Sequence, residues 1–107
     1  MAQKTNFTGW IYDNASNETL YFKDGNFLTN SWLNMNNYSY YFKNDGGMAI
    51  GWLQIDNNWY YFSTLGTMKT GWFLDNNKWY YSNTNGTMAH DTTIDGYKIG
   101  SDGVWTK

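Results

Sequence analysis

A segment of about twenty residues recurs along this chain, and no other feature constrains the fold as strongly. Residues 51–72 read GWLQIDNNWYYFSTLGTMKTGW, passing from Gly-Trp through an Asp-Asn-Asn turn to Trp-Tyr-Tyr-Phe and on to Gly-Thr-Met. The openers Gly9-Trp10, Ser31-Trp32, Gly51-Trp52 and Gly71-Trp72 are spaced by 22, 20 and 20 residues, and Asp91-Thr92 stands 20 further on. A second aromatic block follows each opener: Leu20-Tyr21-Phe22, Tyr40-Tyr41-Phe42, Trp59-Tyr60-Tyr61-Phe62, Trp79-Tyr80-Tyr81 and, last, Gly96-Tyr97-Lys98-Ile99. A glycine turn then leads to Met48, Met68 or Met88, a slot assigned to Leu28 in the first copy and Trp105 in the fifth. The chain thus reads as a lead-in at 1–8 and one repeat domain at 9–107, with repeats 9–30, 31–50, 51–70 and 71–90 and a capping repeat at 91–107.

Each repeat has the signals of a β-hairpin. The segments are short, aromatic or β-branched, and bounded by Gly and Asn. Asn57-Asn58 and Asn76-Asn77 tolerate the positive φ that two-residue hairpin loops demand. No window carries a helical period, so an all-β fold with almost no helix is expected. With Asn57-Asn58 as the loop, Asp56 pairs with Trp59, Gln54 with Tyr61 and Trp52 with Ser63. Opposed and alternate residues share a face. Trp52, Gln54, Trp59 and Tyr61 then lie on one side and Leu53, Ile55, Tyr60 and Phe62 on the other. The next copy sorts Trp72, Trp79 and Tyr81 against Phe73 and Tyr80. The second set is the expected core face; the first presents two Trp and a Tyr. A lone hairpin is not stable in water, so the hairpins must stack as a solenoid with capped ends.

Composition narrows the function. Aromatic residues make up 21% of the 107, half of the 41% hydrophobic content, so apolar surface must come from Trp and Tyr rather than from aliphatic side chains. A net charge of -2 leaves no basic stripe for phosphates, which argues against nucleic acid and favours a cation or a sugar. Without cysteine there is no disulfide framework or thiolate metal site. No apolar run is long enough for a membrane span or a signal peptide, so an extracellular role would require an export route outside this chain. Met1-Ala2 before a polar stretch reads as either an engineered or an independent translation start. His90 is the only histidine and Glu18 the only glutamate, so neither a metal site nor catalytic machinery can be assembled from the motifs present. Asp56, Asp75, Asp45 and Asp102 read as turn formers. Gly46, Gly66 and Gly86 read as turn glycines, since no helix follows to receive an anion.

The pattern GW, six residues, WYYF, then GxMxTGW resembles the choline-binding repeat of cell-wall modules in autolysins, phage lysins and surface proteins of Gram-positive bacteria. The likeness covers roughly residues 9–107 and is tightest over residues 51–88. It implies a left-handed β-solenoid of hairpins that binds choline on teichoic or lipoteichoic acids in aromatic cages between consecutive repeats. It also implies an extracellular, cell-wall-associated location, or release as a phage lysin, and no cofactor. In the family, the Gly-Trp tryptophan and the first Trp of WYY come from one repeat, the second Tyr of WYY from the next, and a Met or Leu often lines the pocket. Carried over, Trp52, Trp59 and Tyr81 form the complete set, with Met88 as an extra wall. A second set has Trp32 and Tyr61, with Tyr40 or Tyr38 in place of the Trp missing at Ser39 and Met68 beside them. Trp10 and Tyr41 form a third set with Thr19 at the Trp position. Trp72 and Trp79 form a fourth, in which Lys98 aligns with the Tyr unless Tyr97 turns in. The resemblance further implies a non-catalytic module that accompanies a catalytic domain in many parent proteins, and a C-terminal repeat able to mediate a homodimer. Two other readings stay open: a glucan- or glycan-binding repeat, and a structural or dimerising spacer.

Overall fold

The structure, a computed structural model, describes residues 6–106; residues 1–5 of the expected lead-in and Lys107 of the expected cap lie outside them. All regular elements among the described residues are β-strands. They are β1 (Gly9–Asp13), β2 (Glu18–Lys23), β3 (Asn26–Phe27), β4 (Ser31–Met35), β5 (Tyr38–Phe42), β6 (Gly51–Ile55), β7 (Asn58–Phe62), β8 (Gly71–Asp75), β9 (Lys78–Ser82), β10 (Thr92–Ile94), β11 (Tyr97–Ile99) and β12 (Trp105–Thr106). The chain divides into two compact units, with the boundary between Ala49 and Ile50. The first holds the antiparallel sheets β1-β2-β3 and β4-β5; the second holds β6-β7, β8-β9 and β10-β11-β12.

Asparagine and aspartate make the hairpins because their short polar side chains tolerate left-handed backbone. The loops Asn36-Asn37, Asp56-Asn57 and Asn76-Asn77 have both central residues at positive φ, between 50° and 71°. Asp95-Gly96 does the same for β10-β11. The first hairpin needs four loop residues, since Asp13 pairs with Glu18; this longer loop absorbs the extra spacing between Trp10 and Trp32.

One expected loop is corrected. Ile55 pairs with Asn58, Gln54 with Trp59 and Trp52 with Tyr61, so the loop is Asp56-Asn57 rather than Asn57-Asn58. Three successive residues tolerate the required backbone, and local chemistry does not choose among them. Sliding a loop by one position moves every partner by two, which is the period of the pleat, so the face sorting is unchanged. In the next copy the expected Asn76-Asn77 loop is the observed one, with Trp72 opposite Tyr81 and Phe73 opposite Tyr80.

After each hairpin the chain turns back to pair once more with its second strand. Phe27 meets Phe22, Trp105 meets Ile99, and Met48, Met68 and Met88 meet Phe42, Phe62 and Ser82. The first-copy equivalent of the methionines is therefore Phe27; Leu28, expected in that slot, instead donates its N–H to the Tyr21 carbonyl, as Ala49 does to Tyr41. Phe42, Phe62, Phe73, Ile55 and Ile99 are buried, as the core-face sorting requires. Each fully buried Phe contributes roughly 1.5–3 kcal/mol.

Stacking within a unit uses both backbone and side chains. Met48 N–H donates to the Thr19 carbonyl and Met88 N–H to the Trp59 carbonyl, both at 2.8 Å, tying each turn to the preceding hairpin. The residue in the methionine slot also covers the turn glycine of the following repeat. Phe27 lies on Gly46, Met68 on Gly86 and Met88 on Gly103, leaving no room for a Cβ. Phe7 and Thr8 of the lead-in cap the first hairpin. The Phe7 carbonyl accepts from Gly25 N–H at 2.8 Å, Thr8 Oγ1 accepts from Asp24 N–H at 3.0 Å, and the Phe7 ring packs on Phe22.

Candidate functional site

The pleat gives each hairpin two faces, and within a unit the forward face of one hairpin is directed at the next. Trp52, Trp59 and Tyr61 share the face directed at the following hairpin, as the register requires. What they meet is the opposite face of that hairpin. Trp52 lies 4.8 Å from Tyr80 and 5.6 Å from Phe73, centroid to centroid, and Tyr61 stacks on Phe73 at 4.8 Å. The same rule holds elsewhere: Trp72 meets Tyr97 at 5.8 Å, and Trp10 meets Tyr40 at 5.1 Å.

Two aromatic cages result within the second unit. The first is a groove of about 310 Å³ lined by Trp52, Trp59, Tyr80, Met88 and Asp102. The second, of about 300 Å³, is lined by Trp72, Trp79, Tyr97 and Trp105. Their walls stand at steep angles: 81° for Trp52 on Trp59, 64° for Trp52 on Tyr80, 86° for Trp72 on Tyr97 and 89° for Tyr97 on Trp105. Rings at such angles form the corner of a box, so a small guest meets several aromatic surfaces at once. Trp59 and Trp79 remain 42% and 41% exposed, which leaves the cages open to solvent.

The sites expected from the sequence are regrouped accordingly. Tyr81, the expected third wall for Trp52 and Trp59, packs at 5.2 Å on Trp72 of its own hairpin and does not line the first cage; Tyr80 does. Tyr81 shares the forward face with Trp72 and Trp79, so it cannot also point back at Trp52. Met88 lines this groove together with Trp52 and Trp59. Tyr41, expected with Trp10, packs instead on Trp32 at 5.1 Å, and Tyr40 takes its place beside Trp10. Trp32 on one side, and Tyr61 and Met68 on the other, belong to different units. Tyr61 lies against Trp52 at 4.9 Å and Met68 covers Gly86. At the fourth set, Lys98 is exposed and absent from the lining, and Tyr97 forms the wall.

Sequence reasoning missed Tyr80, Trp105, Asp102 and Asp75. The pleat set Tyr80 on the face opposite to that of Tyr81 but left open which neighbour that face meets. Trp105 was placed in the methionine slot, yet nothing local aimed it at a cage. Nothing local marked Asp102. Asp75 is more than a turn former: it accepts from Trp52 Nε1–H at 3.0 Å and from Tyr61 O–H at 3.1 Å, which anchors the Trp52 wall. Asp95 accepts from Trp72 Nε1–H at 3.3 Å but is not part of the second cage's lining. These anions and burial shape the phenols nearby. Tyr61 is pushed above the usual phenol range by burial and then by its bond to Asp75. Tyr80 is raised by burial and then by the negative charges of Asp75 and Asp102. His90 and Asp91 pair with each other at 2.9 Å on the surface, away from both linings.

This arrangement can hold a small cation with an apolar coat. Ring faces attract it electrostatically, and no hydrogen-bond donor on the guest is required.

Comparison with known proteins agrees. The profile of the choline-binding repeat matches residues 28–64 and 49–93, more than half of the chain. Among curated protein sequences none matches. The crystal structure of the choline binding domain of Spr1274 in Streptococcus pneumoniae is 42% identical over 75% of this chain and 96% of that one, with a TM-score of 0.69. Choline binding protein F from Streptococcus pneumoniae is 38% identical over 94% of this chain, with a TM-score of 0.86. The chain spans about a third of that protein's length (34%). The modular Cpl-1 endolysin, solved in complex with a peptidoglycan analogue, is 28% identical over 87% of this chain and 28% of its own, with a TM-score of 0.71. The all-β architecture of stacked hairpins is the solenoid class of these proteins, and the chain belongs to the choline-binding repeat family of cell-wall-binding modules.

Proposed function

We propose that this chain is a non-catalytic, extracellular cell-wall-targeting module that holds the choline of teichoic or lipoteichoic acids in its aromatic cages. The observation that carries the reading is the pair of cages around Trp52 and Trp72, the first with two Trp, one Tyr and Met88, the second with three Trp and one Tyr. Trimethylammonium is a cation without a donor, so ordinary polar contacts cannot hold it, whereas each ring face contributes roughly 0.5–2 kcal/mol. Three rings give about 2–6 kcal/mol before association costs, which places one cage near millimolar affinity. Retention on the wall then comes from several cages engaging one polyvalent polymer.

A choline titration followed by Trp fluorescence tests this. A saturable change with choline, absent with glucose or dextran, is expected; no response up to high millimolar choline overturns the reading. Trp59→Ala should weaken binding more than Trp10→Ala, because the groove beside Trp10 has Thr19 where a second Trp would stand. Equal losses would contradict that ranking.

A further inference from the structure

We propose that Asp102 is the charge-selecting residue of the Trp52 cage, its carboxylate favouring a cationic head group over a neutral one of the same shape. The inference rests on reading that cage as a choline site. Asp102 belongs to the turn of the last hairpin yet lines the groove with Trp52, Trp59, Tyr80 and Met88. Its position is set from two sides. Oδ1 accepts from Val104 N–H at 3.0 Å, which closes the turn. The neighbouring Gly103, at φ +84, lies under the Met88 thioether with no room for a Cβ. The methionine that walls the cage therefore also seats the turn that carries the carboxylate. Among the described residues Oδ2 has no hydrogen-bond partner. The charge is felt inside the groove, where it helps to hold the Tyr80 phenol above its usual range.

The turn itself does not require a carboxylate. Asn85, the equivalent residue one repeat earlier, makes the same bond to Thr87 N–H at 3.1 Å, and Leu65 stands at that position one repeat before. An amide suffices for the turn, so the negative charge at 102 is available for another role. Aromatic walls attract a cation but also accept a neutral apolar group of equal size by burying it. A fixed carboxylate at the rim separates the two. The Trp72 cage has no charged residue in its lining and serves as an internal comparison. In a half-open groove, a unit charge several ångströms from the guest corresponds to about a three- to tenfold preference.

Asp102→Asn keeps the turn acceptor and removes only the charge. Wild type and variant are titrated with choline and with its neutral isostere 3,3-dimethyl-1-butanol. The Met88 methyl NMR signal reports this cage and the Trp105 indole signal the other. The expected result is a three- to tenfold loss of choline affinity at Met88, no change at Trp105, and no change for the isostere at either. Unchanged choline affinity at Met88 overturns the inference alone. A parallel loss for choline and isostere also overturns it, by showing that Asp102 acts through shape. Failure of the wild type to bind choline at either signal overturns the underlying reading, and the inference falls with it.

Discussion

Tyr80 stands 4.8 Å from Trp52 across the gap between two hairpins, while its neighbour Tyr81 packs on Trp72 within one. Adjacent residues of a strand point to opposite sides, so a single step in sequence turns a tyrosine from the Trp52 cage to its own hairpin's Trp72. Tyr80→Leu should therefore weaken choline at the Trp52 cage about three- to tenfold, consistent with the loss of one ring face. Tyr81→Leu should leave that cage unchanged, as read from the Met88 methyl signal; equal effects would contradict the grouping. The phenols also set an alkaline limit. Tyr61 and Tyr80 both have raised folded-state pKa values, the first cause being burial. A group raised on folding stabilises the fold fully below its unfolded pKa and loses that contribution as pH climbs through the folded value. Stability should thus be flat with respect to these groups at neutral pH and decline above about pH 10, the ordinary phenol value. Urea unfolding at pH 7 and at successive alkaline values checks this. Asp75→Asn should make the alkaline decline smaller, because removing a negative charge that raises both phenols brings their folded-state pKa values back toward the unfolded one.

At the scale of the hairpin, two glycines separate backbone conformation from packing. Gly51 has φ +79 and open space where a Cβ would stand; Gly86 has φ +91 and the Met68 thioether in that place. Both Gly→Ala changes incur the left-handed backbone cost of roughly 1–2 kcal/mol. Gly86→Ala additionally displaces Met68, at about 1 kcal/mol or more. Urea denaturation should show Gly86→Ala as the more damaging, with the excess vanishing in a Met68→Ala background. Additive effects would show that the methionine does not seat the turn. Much of the element was legible in advance. The strands and their faces followed from alternation, and the loops from Asn and Asp, but Asp56-Asn57-Asn58 offered two equivalent loops. The choice belongs to cross-strand pairing, which sets Gly51 opposite Phe62 and Trp52 opposite Tyr61.

For the whole molecule, ligand and fold are linked. A ligand that binds only the folded state at a hundred times its dissociation constant adds about 2.7 kcal/mol per site. Choline should raise the thermal midpoint in a concentration-dependent, saturable way, and dextran should not. A midpoint indifferent to choline would separate the aromatic cages from ligand binding and leave them as packing alone. Because each cage takes walls from consecutive repeats, truncating a repeat should disable the cage before it as well as its own. Neither of the two cages lies within a single hairpin.

The sequence alone determined the period, the all-β character, the two faces of each hairpin and the recurrence of paired tryptophans on one of them. All of these depend on residues close together in the chain, where pleat and turn chemistry act directly. Only the tertiary structure decided which face of the next hairpin closes each cage, and so chose Tyr80 over Tyr81. It also decided that Trp105 walls the second cage, that Asp75 holds Trp52 and Tyr61, and that Asp102 reaches a groove built by two earlier repeats. The reason is geometric. Alternation states which residues share a face but not which neighbour that face meets, and only the direction of stacking resolves it.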